Sequence, residues 1–233
     1  MSKITIWGDL MSQPTRMVVW VCKYNNISYD FNVVKIGLKE QRTPEYLKIN
    51  PFGMVPAIQD NSNNFHLYES HTICRFLLNK YGDQHNLYSS NDIFQRAKID
   101  EYLDWHHTGL RYTFHHYFHE AYLHPKFNEP IDFPLFDKTS NDIPKVLNQF
   151  QSLFLKNGQN QFVAGTNSVT LADFSAFCEI SQLKLLKFDY TKYQHIHEWM
   201  QRMEKLTGYE DVFKFVIKLS KEEPNYLETI KRP

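Results

Sequence analysis

An α/β segment followed by an all-helical one, α/β plus all-α, is the fold class this sequence predicts, and three observations carry that prediction. Up to residue 81 the apolar pattern switches repeatedly between a period of two and a helical period. Residues 82–91 are polar and rich in turn formers. Beyond them every recognisable apolar pattern is helical. The expected domains are therefore 1–82 and 93–233, joined by a linker at 83–92.

The elements follow in order. Residues 3–7 are β-rich, and 14–24 have helical spacing with Pro14 at the first helical position, where its missing N–H has no intrahelical role. That placement makes Gln13 the expected N-cap and leaves Ser12 in the loop ahead of it. Residues 29–34 alternate again, and 38–50 are mixed. Two short apolar pieces, 55–58 and 65–67, flank Asp60-Asn61-Ser62-Asn63-Asn64, a run whose side chains favour turns, so they read as a hairpin. Residues 70–81 are helical. A parallel pair needs a crossover, and β-α-β followed by a hairpin and a covering helix is the thioredoxin-like order. In the second domain Ile99, Leu103, Leu110, Phe114, Tyr117 and Ala121 recur at helical intervals, with His106 filling the one gap, which predicts a long amphipathic helix over 93–122. Shorter helices are expected at 141–156, 171–183, 193–206 and 209–219. Thr170 is a good N-cap with Asp173 as its reciprocal partner, and Val169 and Phe174 stand where a hydrophobic staple would close; this cluster serves folding, with ~1 kcal/mol from the cap.

With 233 residues the chain can bury a substantial core without staples. Its 26 basic and 26 acidic residues cancel, so no global field recruits nucleic acid or an anionic membrane. Three cysteines, Cys22, Cys74 and Cys178, are odd in number, widely spaced and set in apolar helical patterns, which fits neither a disulfide framework nor a zinc module. No leader pattern opens MSKITIWGD and no apolar run is long enough to span a bilayer, so a soluble cytoplasmic protein is expected.

Three motifs can carry chemistry. Ser12 stands before the positive end of a helix. In Asn50-Pro51-Phe52-Gly53-Met54-Val55-Pro56, Pro56 cannot donate to a sheet ladder, so it either lies on an edge or makes a cis bond that turns Val55 outward; either way an extended peptide can pair with Val55. At Glu69-Ser70 a strand hands over to a helix: Ser70 and the first-turn N–H groups can receive a carboxylate, and Glu69 an ammonium, the two charged ends of one α-amino acid.

In this order and spacing, with the Thr170-Leu171-Ala172-Asp173 cap late in a helical domain, these motifs resemble the glutathione transferases over nearly the whole chain. Asp9-Leu10-Met11-Ser12-Gln13-Pro14, followed by Asp100-Glu101-Tyr102-Leu103-Asp104-Trp105-His106, is similar to the theta class. The resemblance implies that the first domain binds glutathione as co-substrate and that the helical domain supplies a hydrophobic second-substrate pocket. It implies that Ser12 hydrogen-bonds the glutathione sulfur, that Val55 pairs with the cysteinyl backbone beside a cis Pro56, and that Glu69 and Ser70 hold the γ-glutamyl end, with Gln13 nearby. Gln41 stands where many theta members have histidine and Met54 where they often have lysine, so the glycyl carboxylate falls to Gln41 with Arg42 or Lys39 supplying charge. Arg111 is the candidate for stabilising an anionic leaving group, and Met11, His115 and Phe118 are candidate walls of the second pocket. The implied activity is conjugation of glutathione to small hydrophobic electrophiles, with peroxidase activity on organic hydroperoxides, in a homodimer. A non-catalytic binding or scaffold protein on the same fold is the rival.

Other signals are set aside. Six histidines crowd residues 106–124, and His115 and His119 have the spacing that can share a metal, but His119-Glu120-Ala121-Tyr122-Leu123-His124 misses the zinc-protease pattern by one residue, which rotates the second histidine off the shared face; no metal is expected. No glycine-rich nucleotide loop or serine-hydrolase elbow is present, and Ser12 occupies the place where thiol-disulfide exchange would need a cysteine.

Overall fold

The computed structural model describes residues 3–89 and 91–232. Met1, Ser2, Ser90 and Pro233, which the opening, linker and helical-domain expectations include, lie outside the described residues. The residues up to Ile93, with Leu206–Phe213, form one compact unit; Phe94–Lys205 and the chain from Lys214 onward form the other.

The first unit is thioredoxin-like: β1 (Ile4–Gly8), α1 (Gln13–Tyr24), β2 (Tyr29–Val33), a short α2 (Pro44–Leu47), β3 (Ala57–Asp60), β4 (Phe65–Tyr68) and α3 (Ser70–Tyr81). The four strands run in the order β2-β1-β3-β4, with β1 and β2 parallel and the other pairs antiparallel. Ile4, Ile6 and Ile58 of the sheet, Val18, Val21 and Cys22 of α1 and Ile73, Cys74 and Leu77 of α3 are all fully buried and make up the core of this unit. Full burial of each large aliphatic side chain contributes about 1.5–3 kcal/mol, so this single apolar layer is what holds the helices on the sheet. At the far end of β3 the buried Asp60 carboxylate receives the Tyr81 hydroxyl (2.6 Å), the Ser62 amide (3.0 Å) and the Lys80 ammonium, stapling the hairpin to the end of α3.

Two expectations change here. Ser12, not Gln13, is the N-cap of α1: its hydroxyl accepts from the Thr15 amide, a bond that a short hydroxyl side chain reaches and a long glutamine seldom makes. The strand expected over 55–58 is shifted, because Val55 and Pro56 precede it and the ladder begins at Ala57, the first residue after the proline that lacks an N–H.

The second unit is helical. One continuous helical run comprises α4 (Ile93–His106), α5 (Tyr112–Phe118) and α6 (His124–Phe127), joined by wide π turns at His107–Arg111 and His119–Leu123. It therefore reaches further than the predicted 93–122, and the π turns accommodate the irregular spacing that His106 bridges; His106 indeed points inward, at 5 % exposure. α7 (Phe133–Gln149) starts well before the predicted residue 141, because Asp132 caps it by accepting from the Leu135 amide and Pro134 sits in its first turn. α8 (Leu171–Ile180) is buried on every side and ends before the predicted residue 183, giving way to a tighter 3₁₀ turn at Ser181–Leu186. α9 (Gln194–Met203) follows, then α10 (Tyr209–Glu222), whose residues up to Phe213 belong to the first unit, and a 3₁₀ turn at Tyr226–Thr229.

The cap of α8 joins several segments of this unit. Asp173, fully buried, accepts from the Val163 amide (2.8 Å), the Thr170 amide (2.9 Å), the Thr170 hydroxyl (2.8 Å) and the Trp199 indole (2.9 Å). Four donors compensate the cost of burying one carboxylate and tie α8, α9 and the preceding loop together.

Candidate functional site

The sheet register decides which loops meet. Gly8, the last residue of β1, lies beside Val33, the last of β2; Trp7 faces Ala57, the first of β3, and Ala57 faces Tyr68, the last of β4. The loops bearing Ser12, Gln41, Val55 and Glu69 therefore all leave the same end of the sheet.

The first loop is a closed turn. Gly8 lies so close to Thr15 that a Cβ would meet Thr15 Cγ2 at 2.5 Å, an approach only glycine permits. Asp9 accepts from the Met11 amide (2.9 Å) and the Ile36 amide (3.2 Å), and its carbonyl accepts from the Ser12 amide (2.9 Å). The fully buried Arg16 donates through Nη1 to the carbonyls of Leu10 (2.8 Å) and Met11 (3.0 Å). Ser12 itself accepts the Thr15 amide at 3.4 Å, so the capping bond uses an oxygen lone pair and leaves the hydroxyl hydrogen to donate elsewhere. Gln13 is buried beside it and Met11 is half-buried.

In the second loop Asn50, nearly fully buried, donates to the Met54 carbonyl (2.7 Å) and accepts from the Phe52 amide (3.0 Å), while the Tyr46 hydroxyl donates to the same Met54 carbonyl (2.7 Å). Arg42 donates to the Phe52 carbonyl (3.2 Å) and packs against Gly53, whose φ of 60° and crowded Cα face exclude a side chain. The Val55–Pro56 peptide is cis, one of the two alternatives the sequence left open. Among the described residues neither main-chain group of Val55 has a hydrogen-bond partner. Gln41 keeps a buried side-chain oxygen with no partner among the described residues, an acceptor suited to an N–H donor.

At the third loop Glu69 is exposed, with φ 72° and ψ 106°, a backbone region that costs a non-glycine residue on the order of 1–3 kcal/mol. Its carbonyl receives the Ile73 amide (2.8 Å), and Ser70 is the first residue of α3, so Glu69 and Ser70 stand at the positive end of that helix.

In the helical unit Arg111, inside the first π turn, donates to both oxygens of the buried Glu179 (3.2 and 3.1 Å). His106 lies 3.8 Å from the same carboxylate, and its other nitrogen meets the Tyr102 hydroxyl at 3.1 Å. His115 stands one turn beyond Arg111; burial, then the Arg111 charge and His119 and His116, lower its pKa to about 3, so the ring is neutral near pH 7. Its ring centroid is 4.3 Å from that of His119. Phe118 is turned inward and stacks on Tyr122 at 4.7 Å. Among the described residues no group of three or more His, Cys, Asp or Glu side chains is arranged to hold a metal, and no helix is long and apolar enough to cross a membrane. All three cysteines are buried, and burial pushes the Cys22 thiol up to about 12.

Sequence reasoning missed Asp9, Arg16, Asn50, Tyr46 and Glu179. Asp9 and Asn50 had a legible signal, since both are turn formers two residues ahead of the amide they accept. Arg16 also had one: it is a charge at a position flanked on both sides by buried helix residues.

Comparison with known proteins bears on the whole chain. Residues 12–80 match the family model of the glutathione S-transferase N-terminal domain, and 135–223 that of the C-terminal domain. The chain is 32% identical to glutathione S-transferase T1 of Arabidopsis thaliana over 212 residues, covering 89% of this chain and 85% of that one. It is 30% identical to human glutathione S-transferase theta-2, covering 89% and 83%. A crystal structure of human glutathione transferase theta-2 in complex with glutathione superposes with a TM-score of 0.85 at 25% identity, covering 97% of this chain and 96% of that one. A human theta-class enzyme in complex with the glutathione conjugate of 1-menaphthyl sulfate gives 0.83 at 26%, covering 98% and 96%.

Proposed function

The chain belongs to the glutathione S-transferase family with theta-class relatives, and on that premise we propose that it joins the glutathione sulfur to small hydrophobic electrophiles through the turn at Ser12. The observation that carries the assignment is the Ser12 hydroxyl, fixed by its capping bond at the sheet end where Val55, Glu69 and Ser70 also emerge. Glutathione lies with its cysteinyl backbone on the unpartnered Val55 groups beside Pro56, its γ-glutamyl carboxylate on Ser70 and the first-turn amides of α3, and its ammonium on Glu69. Gln41 and Gln13 complete the site, with Arg42 holding the loop as well as supplying charge. Residues 1–82 form the glutathione-binding domain, 83–92 the linker and 93–233 the domain that supplies the electrophile pocket, with Arg111, His115 and Phe118 as the residues proposed for it and Met11 as the residue the first domain is proposed to offer the electrophile.

A thiol with a pKa of ~8.5 is only a few per cent ionised at neutral pH. A hydrogen bond donated to a charged acceptor contributes ~1.5–3 kcal/mol, which lowers that pKa by roughly one to two units. Ser12 supplies this bond, and the N-terminus of α1 acts in the same direction. The thiol proton leaves to solvent; the thiolate lone pair forms the S–C bond while the bond to the leaving group breaks and that group departs with its electron pair. With an organic hydroperoxide the sulfur takes the terminal oxygen, the O–O bond breaks to release an alcohol, and a second glutathione converts the sulfenic acid to disulfide and water.

Buried reduced thiols support a cytoplasmic setting, and the exposed rings of Phe52 and Phe65, which rest on Tyr68 and Phe76, support a homodimer. Ser12→Ala should lower turnover at least tenfold while glutathione still binds; full activity of that variant from pH 6 to 8 would refute the role of Ser12. Inactivity of the wild type towards aryl halides, benzylic halides, epoxides and cumene hydroperoxide would favour a scaffold.

A further inference from the structure

Resting on that transferase assignment, we infer that Arg16 is a positioning residue that sets the aim of the Ser12 hydroxyl. Arg16 has 0 % exposure, an expensive place for a permanent cation, and an apolar residue would fill the space without that cost. What its charge provides is a bridge: one nitrogen, Nη1, binds the carbonyls of both residues that precede Ser12, at 2.8 and 3.0 Å.

With Asp9 binding the Met11 and Ser12 amides from the other side, both peptide planes leading into Ser12 are fixed. The guanidinium carbon itself lies over the Phe213 ring, 5.2 Å from its centroid, and Phe213 packs edge-on against Trp20, whose indole donates to the Thr207 carbonyl at 3.0 Å. The segment Leu206–Phe213, which clusters with the first unit, thus backs Arg16. Arg16 touches no reacting atom in this scheme. It acts through the turn, and a displacement of about 1 Å at a reacting group can cost on the order of 10²-fold in rate. Its positive charge behind the turn also favours a thiolate in front of it.

The test compares wild type, Arg16→Met, Arg16→Lys and, as a control for lowered stability alone, Asp173→Asn in the other unit. Two quantities are read: amide exchange at Met11 and Ser12 without ligand, and the pKa of the bound glutathione thiol from thiolate absorbance. In Arg16→Met the two amides should exchange at least tenfold faster and the thiol pKa should rise by about one unit, with a matching tenfold loss of turnover at pH 6.5. Arg16→Lys, which keeps the charge but has a single shorter ammonium, should fall between, and it carries the comparison if the methionine variant does not fold. Asp173→Asn should leave both quantities at their wild-type values. Wild-type exchange and thiol pKa in either Arg16 variant, or an equal change in Asp173→Asn, overturns the inference. Failure of the wild type to bind glutathione instead overturns the transferase assignment, and the exchange rates still judge Arg16.

Discussion

A hydroxyl can serve a helix and a ligand together because it accepts along its lone pairs and donates along its O–H bond. Ser12→Ala therefore removes two things, and the two are separable: losing the cap should cost about 0.5–2 kcal/mol in chemical denaturation, and losing the donor should appear only in the thiol pKa and turnover. Ser12→Thr, which keeps both capacities, should retain most of the stability. Glu69 presents a comparable separation, since its positive φ favours glycine while its carboxylate is assigned to the ligand ammonium. Glu69→Gly should raise stability by about 1 kcal/mol and weaken glutathione binding at least tenfold, measured by titration. A variant that is less stable and binds normally would contradict both halves. Gln41, proposed to hold the glycyl carboxylate, offers a neutral amide where a cation would bind it more strongly, so a dissociation constant above the low micromolar range is expected; a low-micromolar value in a titration would contradict the expected weakening.

At the level of elements, the long helical run has the central role in the second unit. Its first π turn carries Arg111 to the buried Glu179, and removing either partner leaves a charge or a dipole without its complement. Arg111→Ala should destabilise the protein by about 3 kcal/mol, and adding Glu179→Gln should recover part of that loss in a double-mutant cycle. The run was legible as a helix because Ile99, Leu103, Leu110 and Phe114 recur at three- and four-residue multiples, and His106 was legible as its inward-facing exception. The π turns were not, because the rotation of about 100° that one extra residue introduces reads in the sequence as a single inward-facing polar residue, His106, in an otherwise regular pattern. The early start of α7 had a signal in Asp132 and Pro134, but the apolar period there becomes clear only further on. The strand order and the three chemical motifs could be read from residue types alone. The tertiary partners of Arg16 and Glu179 could not, since each depends on which group another element brings alongside.

For the whole molecule, acid is the informative stress. Burial opposes ionisation of Asp60, but the Lys80 ammonium and the Ser62 and Tyr81 groups outweigh it and hold the carboxyl far below its usual range. A folded pKa below the unfolded one means that this stabilisation is present above pH ~4 and is lost as the pH falls below that. His115 has the same sign at higher pH: kept neutral in the fold down to about 3, it costs stability as the unfolded chain takes up a proton below pH ~6.5. Denaturant midpoints should fall from pH 7 to pH 5 and then more steeply below 4. Asp60→Asn should remove much of the steeper part while lowering stability at pH 7 by about 2–4 kcal/mol. Sedimentation should give the mass of two chains, and Phe52→Ser with Phe65→Ser should shift it toward one.

A catalyst that handles compounds hungry for sulfur must not become their victim. Cys22, Cys74 and Cys178 lie in the interior, and Cys22 resists ionisation far beyond neutral pH, so soft electrophiles brought to the proposed Ser12 site meet the tripeptide's thiol and not a thiol of the protein. Incubation of the native protein with excess iodoacetamide should leave its intact mass unchanged, whereas the unfolded chain should gain three adducts.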